Sequence, residues 1–220
     1  MSMTSQMPPE LLNTCESWSK TLKQQTDVTS QIAAIRDALP RLLENRDLML
    51  DILQRIARGD AYPDTRRATM FENEIILYLN ERRLFSLRML LSGPGDFTPI
   101  HDHNAWGVIA PFSGTLDVIS YRRLNDGSGD PAAPIEKTGH RVLSPVETAA
   151  VLPLDEGIHS TGNSGDETLV MLSVYGTPVR RPYVRGFDPD RNRVFRIYPQ
   201  RKRKRMLAES VIRKSAGAAP

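Results

Sequence analysis

The sequence predicts a mainly β fold, an antiparallel sandwich or jelly-roll barrel, with α-helices ahead of it. Three observations carry this. Apolar residues before position 54 recur at spacings of three and four. Between 74 and 174 they come in short runs punctuated by Gly, Pro and Asp. Three of the four histidines stand in two short segments inside those runs.

The helical part spans about 9 to 53. Leu11, Leu12, Trp18 and Leu22 form one stripe, and Ile32, Ile35, Leu39, Leu42 and Leu43 form the next. Thr29 or Ser30 is the expected cap of the second helix. Pro40 has no N–H to give and is expected to kink that helix or to open a new one. The stretch 59–64 is a turn-rich exit. Strands are expected at 75–79, 85–91, 106–112, 115–122, 135–142, 149–152, 158–161 and 169–174. Asn125 to Asp130 reads as a hairpin loop by composition, and 215–220 is expected to be disordered. The division is therefore 1–73, a helical extension packed on the barrel; 74–200, the barrel; and 201–220, a basic flexible tail.

An apolar content of 40% with 25% charged residues describes an ordinary globular chain. No run approaches the roughly 20 apolar residues that span a bilayer, and the first residues lack the pattern of an export signal. A single cysteine, Cys15, excludes an internal disulfide framework and suits a reducing compartment. The cytoplasm is the expected location. The run Arg201-Lys202-Arg203-Lys204-Arg205 carries the charge of a nucleic-acid contact. It lacks interleaved aromatics or a reading helix, so nucleic acid is not the expected partner and no membrane partner is expected.

The histidines are the informative feature. On a strand, residues i and i+2 point to one face, so His101 and His103 can aim at one point. His159, from a later strand, would complete a facial set of imidazoles and leave the far side of a metal open. His140, after Gly139, has no such support and reads as structural.

Around these histidines stand Gly95, six residues before His101, Gly114, eleven after His103, Gly157 two before His159, and Asn163 four after it. These segments resemble the paired metal motifs of the cupin superfamily, which implies a jelly-roll, double-stranded β-helix barrel. One position departs: the usual glutamate ligand, four or five residues after the second histidine, is replaced by Gly107 or Val108. Three histidines without a carboxylate resemble the cysteine dioxygenase family of thiol dioxygenases. The run Pro99-Ile100-His101-Asp102-His103-Asn104-Ala105-Trp106-Gly107-Val108 is similar to its bacterial branch, which includes 3-mercaptopropionate dioxygenases.

The resemblance implies Fe(II) held by His101, His103 and His159, with O₂ and a small thiol carboxylate as substrates and a sulfinate as product. It implies that Tyr175 is a catalytic hydroxyl and that an arginine holds the carboxylate. Arg185 has the expected spacing, with Arg180, Arg181 and Arg88 as the other candidates. The serine and histidine that alternate with the tyrosine in relatives are Met171 and Ser173 here. Zinc, nickel or manganese also suit imidazoles. The rival readings are another three-histidine cupin enzyme, such as a carbon–carbon-cleaving dioxygenase, and a non-catalytic cupin binding module.

Overall fold

The structure is a computed structural model that describes residues 6–125 and 134–217, with side chains to Arg213. Among the described residues, three helices come first: α1 (Pro9–Gln24), α2 (Val28–Glu44) and α3 (Arg46–Arg58). Eleven strands follow: β1 (Glu74–Leu79), β2 (Phe85–Ser92), β3 (His101–His103), β4 (Gly107–Ser113), β5 (Leu116–Arg123), β6 (Ile135–Leu143), β7 (Ala149–Val151), β8 (Leu154–Gly162), β9 (Leu169–Gly176), β10 (Val184–Asp188) and β11 (Arg193–Ile197). The described chain ends in α4 (Gln200–Gly217).

The strands form two antiparallel sheets. One has the order β1-β2-β9-β4-β7, the other β11-β10-β3-β8-β5-β6. Consecutive strands alternate between the sheets through much of the barrel, as in a double-stranded β-helix. The helices pack on the outer face of the five-stranded sheet: Leu11, Trp18, Leu39 and Met49 share one core with Leu87, Met89, Val108, Leu172 and Val174. Leu90, Ile109, Leu116, Val118 and Met171 form a second cluster between the sheets.

Strand alternation explains this division. In β9, Val170, Leu172 and Val174 face the helices, so Leu169, Met171, Ser173 and Tyr175 face the barrel interior. In β2, Phe85, Leu87 and Met89 face the helices, so Ser86 and Arg88 face inward. With both faces covered, these strands read as nearly continuous apolar runs. The few polar residues on the inner face mark the site.

Four expectations are corrected. The cap of α2 is Asp27, whose carboxylate accepts from the Ser30 backbone N–H at 2.8 Å and the Ser30 hydroxyl at 2.7 Å. Pro40 does not break α2: its fixed φ is already helical, and Leu39, Leu42 and Leu43 around it are buried. The break falls at Asn45, whose side chain accepts from Leu48 N–H and caps α3. Positions 201–217, expected as tail, belong to α4. Strands β10 and β11 were not anticipated, because their arginines hide the alternation. Most of the expected loop at 125–130 lies outside the described residues, as do 218–220; β5 and β6, which flank the loop, pair antiparallel.

Candidate metal centre

β3 is only three residues long, yet it sets the site. His101 and His103 project from one face of it, and His101 stands directly opposite His159 of β8 in the antiparallel register. All three side chains are buried. Their ligand atoms lie within 4.8 Å of one another, and the Nε2 atoms of His103 and His159 are 2.8 Å apart. Among the described residues, this is the one such group of metal-ligating side chains. His140 lies apart, bonded through Nε2 to Asp117 at 2.7 Å.

The donor set fits a cation. Nδ1 of His101 is 2.7 Å from the Pro99 carbonyl, an acceptor only, so the ring proton sits there and Nε2 keeps its lone pair. Burial pushes the His101 pKa down to about 4. Burial, and then the neighbouring imidazoles, hold His103 and His159 well below the ordinary histidine range. Three neutral imidazoles that converge in this way keep the lone pairs that binding a metal ion requires. Two nitrogens each about 2.1 Å from one ion and at right angles would be about 3.0 Å apart, close to the His103–His159 spacing. His101, His103 and His159 would therefore hold the metal, and Fe(II) is among the ions imidazole suits.

At Gly107 and Val108, where the resemblance implies a glutamate, packing leaves no room for one. Gly107 pairs with Tyr175 across β4 and β9, and a Cβ on Gly107 would lie 2.7 Å from the Tyr175 ring. Val108, the other candidate position, packs toward the helices. The tyrosine ring, stacked on His103 at 5.6 Å between centroids, fills the space a carboxylate would cross.

A cavity of about 330 Å³ opens on this centre. Phe71, Leu79, Phe85 and Val184 supply apolar wall, and Glu74, Arg88, Asn104 and Tyr175 supply polar groups. Arg88 donates to Glu74 at 3.0 Å and to Ser86 Oγ at 3.1 Å, and its guanidinium lies 5.3 Å from the Tyr175 ring centroid. Burial works against the Arg88 charge, but the Glu74 carboxylate outweighs it. Burial, reinforced by Glu74, pushes the Tyr175 phenol up to about 12, so it stays a hydrogen-bond donor at neutral pH.

Arg185, expected to hold a carboxylate, is engaged elsewhere. Its guanidinium donates to Asp102 at 2.7 Å and to Asp155 at 2.5 Å, and it does not line the cavity. Arg181 donates to both oxygens of the same Asp102, at 2.7 and 2.8 Å. Asp102 sits between the two histidines of β3 but points to the other face, where it is fully buried. The arginines that line the cavity are Arg83 and Arg88, and of these Arg88 lies against Tyr175. Glu74 was missed; an acidic residue opening an apolar strand, diagonal to an inward arginine in β2, is the signal that would have found it.

No family model matches the sequence. The sheet order, with three imidazoles set between β3 and β8, defines a cupin-fold protein with a group able to hold a metal ion. Solved structures with which the chain aligns include the cupin domain of an XRE family transcriptional regulator from Enterobacter cloacae, at 17% identity over 48% of this chain and 96% of that one, TM-score 0.34. A cupin 2 domain-containing protein from Halorhodospira halophila aligns at 18% identity over 55% of this chain and 72% of that one, TM-score 0.39. A putative sugar phosphate isomerase from Acidithiobacillus ferrooxidans aligns at 16% over 58% and 73%, TM-score 0.37. No helix among the described residues is long and apolar enough to cross a membrane.

Proposed function

We propose that this protein is an Fe(II)-dependent thiol dioxygenase that converts a small thiol carboxylate to its sulfinate. The observation that carries the reading is the closure of the fourth ligand position by Tyr175 against Gly107. Three neutral imidazoles leave a divalent ion its full charge, which favours a substrate that brings an anionic ligand of its own. When bound, the iron supplies that charge and the redox capacity for O₂. In the overall reaction the S–H and O–O bonds break and two S–O bonds form. Sulfur loses four electrons, O₂ gains them, and one proton leaves to solvent.

The chain's residues supply the surroundings. The apolar wall of Phe71, Leu79, Phe85 and Val184 limits water near the reacting sulfur. Tyr175 keeps its proton with its ring against His103, and its hydroxyl, bonded to Ser173, would turn to a bound substrate as a donor. Arg88, whose Nε and Nη1 are held by Ser86 and Glu74, would offer Nη2 to a substrate carboxylate from the same wall.

Oxygen consumption by Fe(II)-loaded protein, measured with cysteine, 3-mercaptopropionate and a diketone, tests the reading. Uptake with a thiol, giving a sulfinate carrying both atoms of labelled O₂, is the expected result. Uptake with the diketone alone would assign a carbon–carbon-cleaving reaction instead. Stoichiometric metal with no uptake on any thiol would overturn the proposal.

A further inference from the structure

The basic run near the C-terminus reads as lacking aromatics in sequence, but the fold brings aromatics to it. Tyr183, at the edge of β10, and Tyr198, just past β11, lie with ring centroids 5.6 Å apart. Arg196 and Arg181 lie over Tyr183 at 4.8 and 5.3 Å, and Lys202 of α4 lies over Tyr198 at 4.9 Å, so the Arg196 guanidinium plane as well as the rings faces outward for stacking. The tyrosines are half-buried, while Arg196 and the whole run from Arg201 to Arg205 are exposed. Among the described residues, Arg205 is the one member of that run with a carboxylate partner, Glu209 at 2.8 Å. The surface is thus a short group of rings and cations that continues into a run of exposed basic residues, with Asp64, Glu72 and Glu209 in the same cleft.

We propose that this surface, formed by β10, β11 and the start of α4, binds single-stranded nucleic acid. Charge complementarity calls for a polyanion. The group of rings selects the kind: unstacked bases lie on aromatic rings and guanidinium planes while cations follow the phosphates. A duplex keeps its bases stacked and has no use for the rings. An anionic membrane would have no use for the paired tyrosine rings, although α4 also exposes Leu207, Val211 and Ile212 beyond the five cations. The surface is separate from the metal cavity, whose lining contains none of these residues.

Fluorescence anisotropy of the full chain with labelled oligothymidylate of about twelve nucleotides tests this. Binding should weaken with salt, with a log–log slope of roughly 0.7 per phosphate neutralised. Tyr198→Phe should bind as the native chain does, and Tyr198→Ala about tenfold more weakly. Lys202→Ala with Arg203→Ala should lower the slope by about 1.4, which decides the matter if the alanine at 198 prevents folding. Absence of binding at low salt, indifference to ring removal in a folded variant, or tighter binding to duplex or to phosphatidylserine vesicles would each overturn the proposal.

Discussion

Gly107 stands opposite Tyr175 in the β4–β9 pairing, with room for the tyrosine ring and for nothing more. The absent carboxylate ligand and the tyrosine are therefore one feature. Gly107→Ala should displace the ring, cost about 1–3 kcal/mol through overpacking, and lower oxygen uptake. Calorimetric melting beside an activity assay checks this; an alanine variant with native melting and native turnover would contradict it.

Tyr175→Phe keeps the ring on His103 and removes only the hydroxyl. A hydrogen bond to a charged partner is worth about 1.5–3 kcal/mol, so kcat/KM should fall roughly 10–100-fold with metal content unchanged. Steady-state kinetics and elemental analysis of the same preparation separate the two effects.

Glu74 and Arg88 form a pair in which the carboxylate side chain is 7% exposed and the guanidinium 28%. Removing one member strands the other. Glu74→Leu should cost several kcal/mol, at most the 3–5 kcal/mol of a fully buried pair. The double change Glu74→Leu, Arg88→Met should recover much of that stability while abolishing carboxylate-dependent substrate binding. A double-mutant cycle by urea unfolding measures the coupling.

Arg185 bonds Asp102, which stands between His101 and His103, so under the proposed function its loss would show in metal retention and not in substrate affinity. Arg185→Ala should weaken metal binding about 10–100-fold, as removal of supporting groups does elsewhere. KM for a thiol carboxylate at saturating metal should stay native. A selective rise in KM would restore Arg185 as the carboxylate anchor.

Protein stripped of metal by a chelator should lose stability on mild acidification. The folded-state pKa of His101 is depressed to about 4, from an unfolded value of 6.5. As pH falls below 6.5 the unfolded chain takes up the proton first, so stability is full above that value and declines until pH reaches about 4. One such group accounts for about 3 kcal/mol. Urea titrations between these limits check the sign, and His101→Gln should reduce the slope while His103 and His159, also held low, keep part of it.

Much of the fold was legible because local signals agreed with it. The three- and four-residue spacing of Leu11, Trp18, Ile35 and Leu39 marked helices, and the Gly- and Pro-bounded apolar runs marked eight of the strands. What failed were features in which one local rule competes with another. Asp27 caps α2 in place of the hydroxyl residues after it, and Pro40 stays helical because buried leucines surround it. The arginines of β10 and β11 masked strands that depend on pairing with β3 and with each other.

The sequence by itself determined the barrel class and the imidazole triplet, since a period of two and a His-x-His spacing are properties of the backbone alone. Only the tertiary structure decided which arginine lies beside the imidazoles and what fills the space at Gly107. Strands covered on both faces look alike in composition. Register across β1, β2, β4 and β9 is what turns Arg88, Glu74 and Tyr175 inward, opposite a glycine, while the Asp102 carboxylate draws Arg185 away from the cavity.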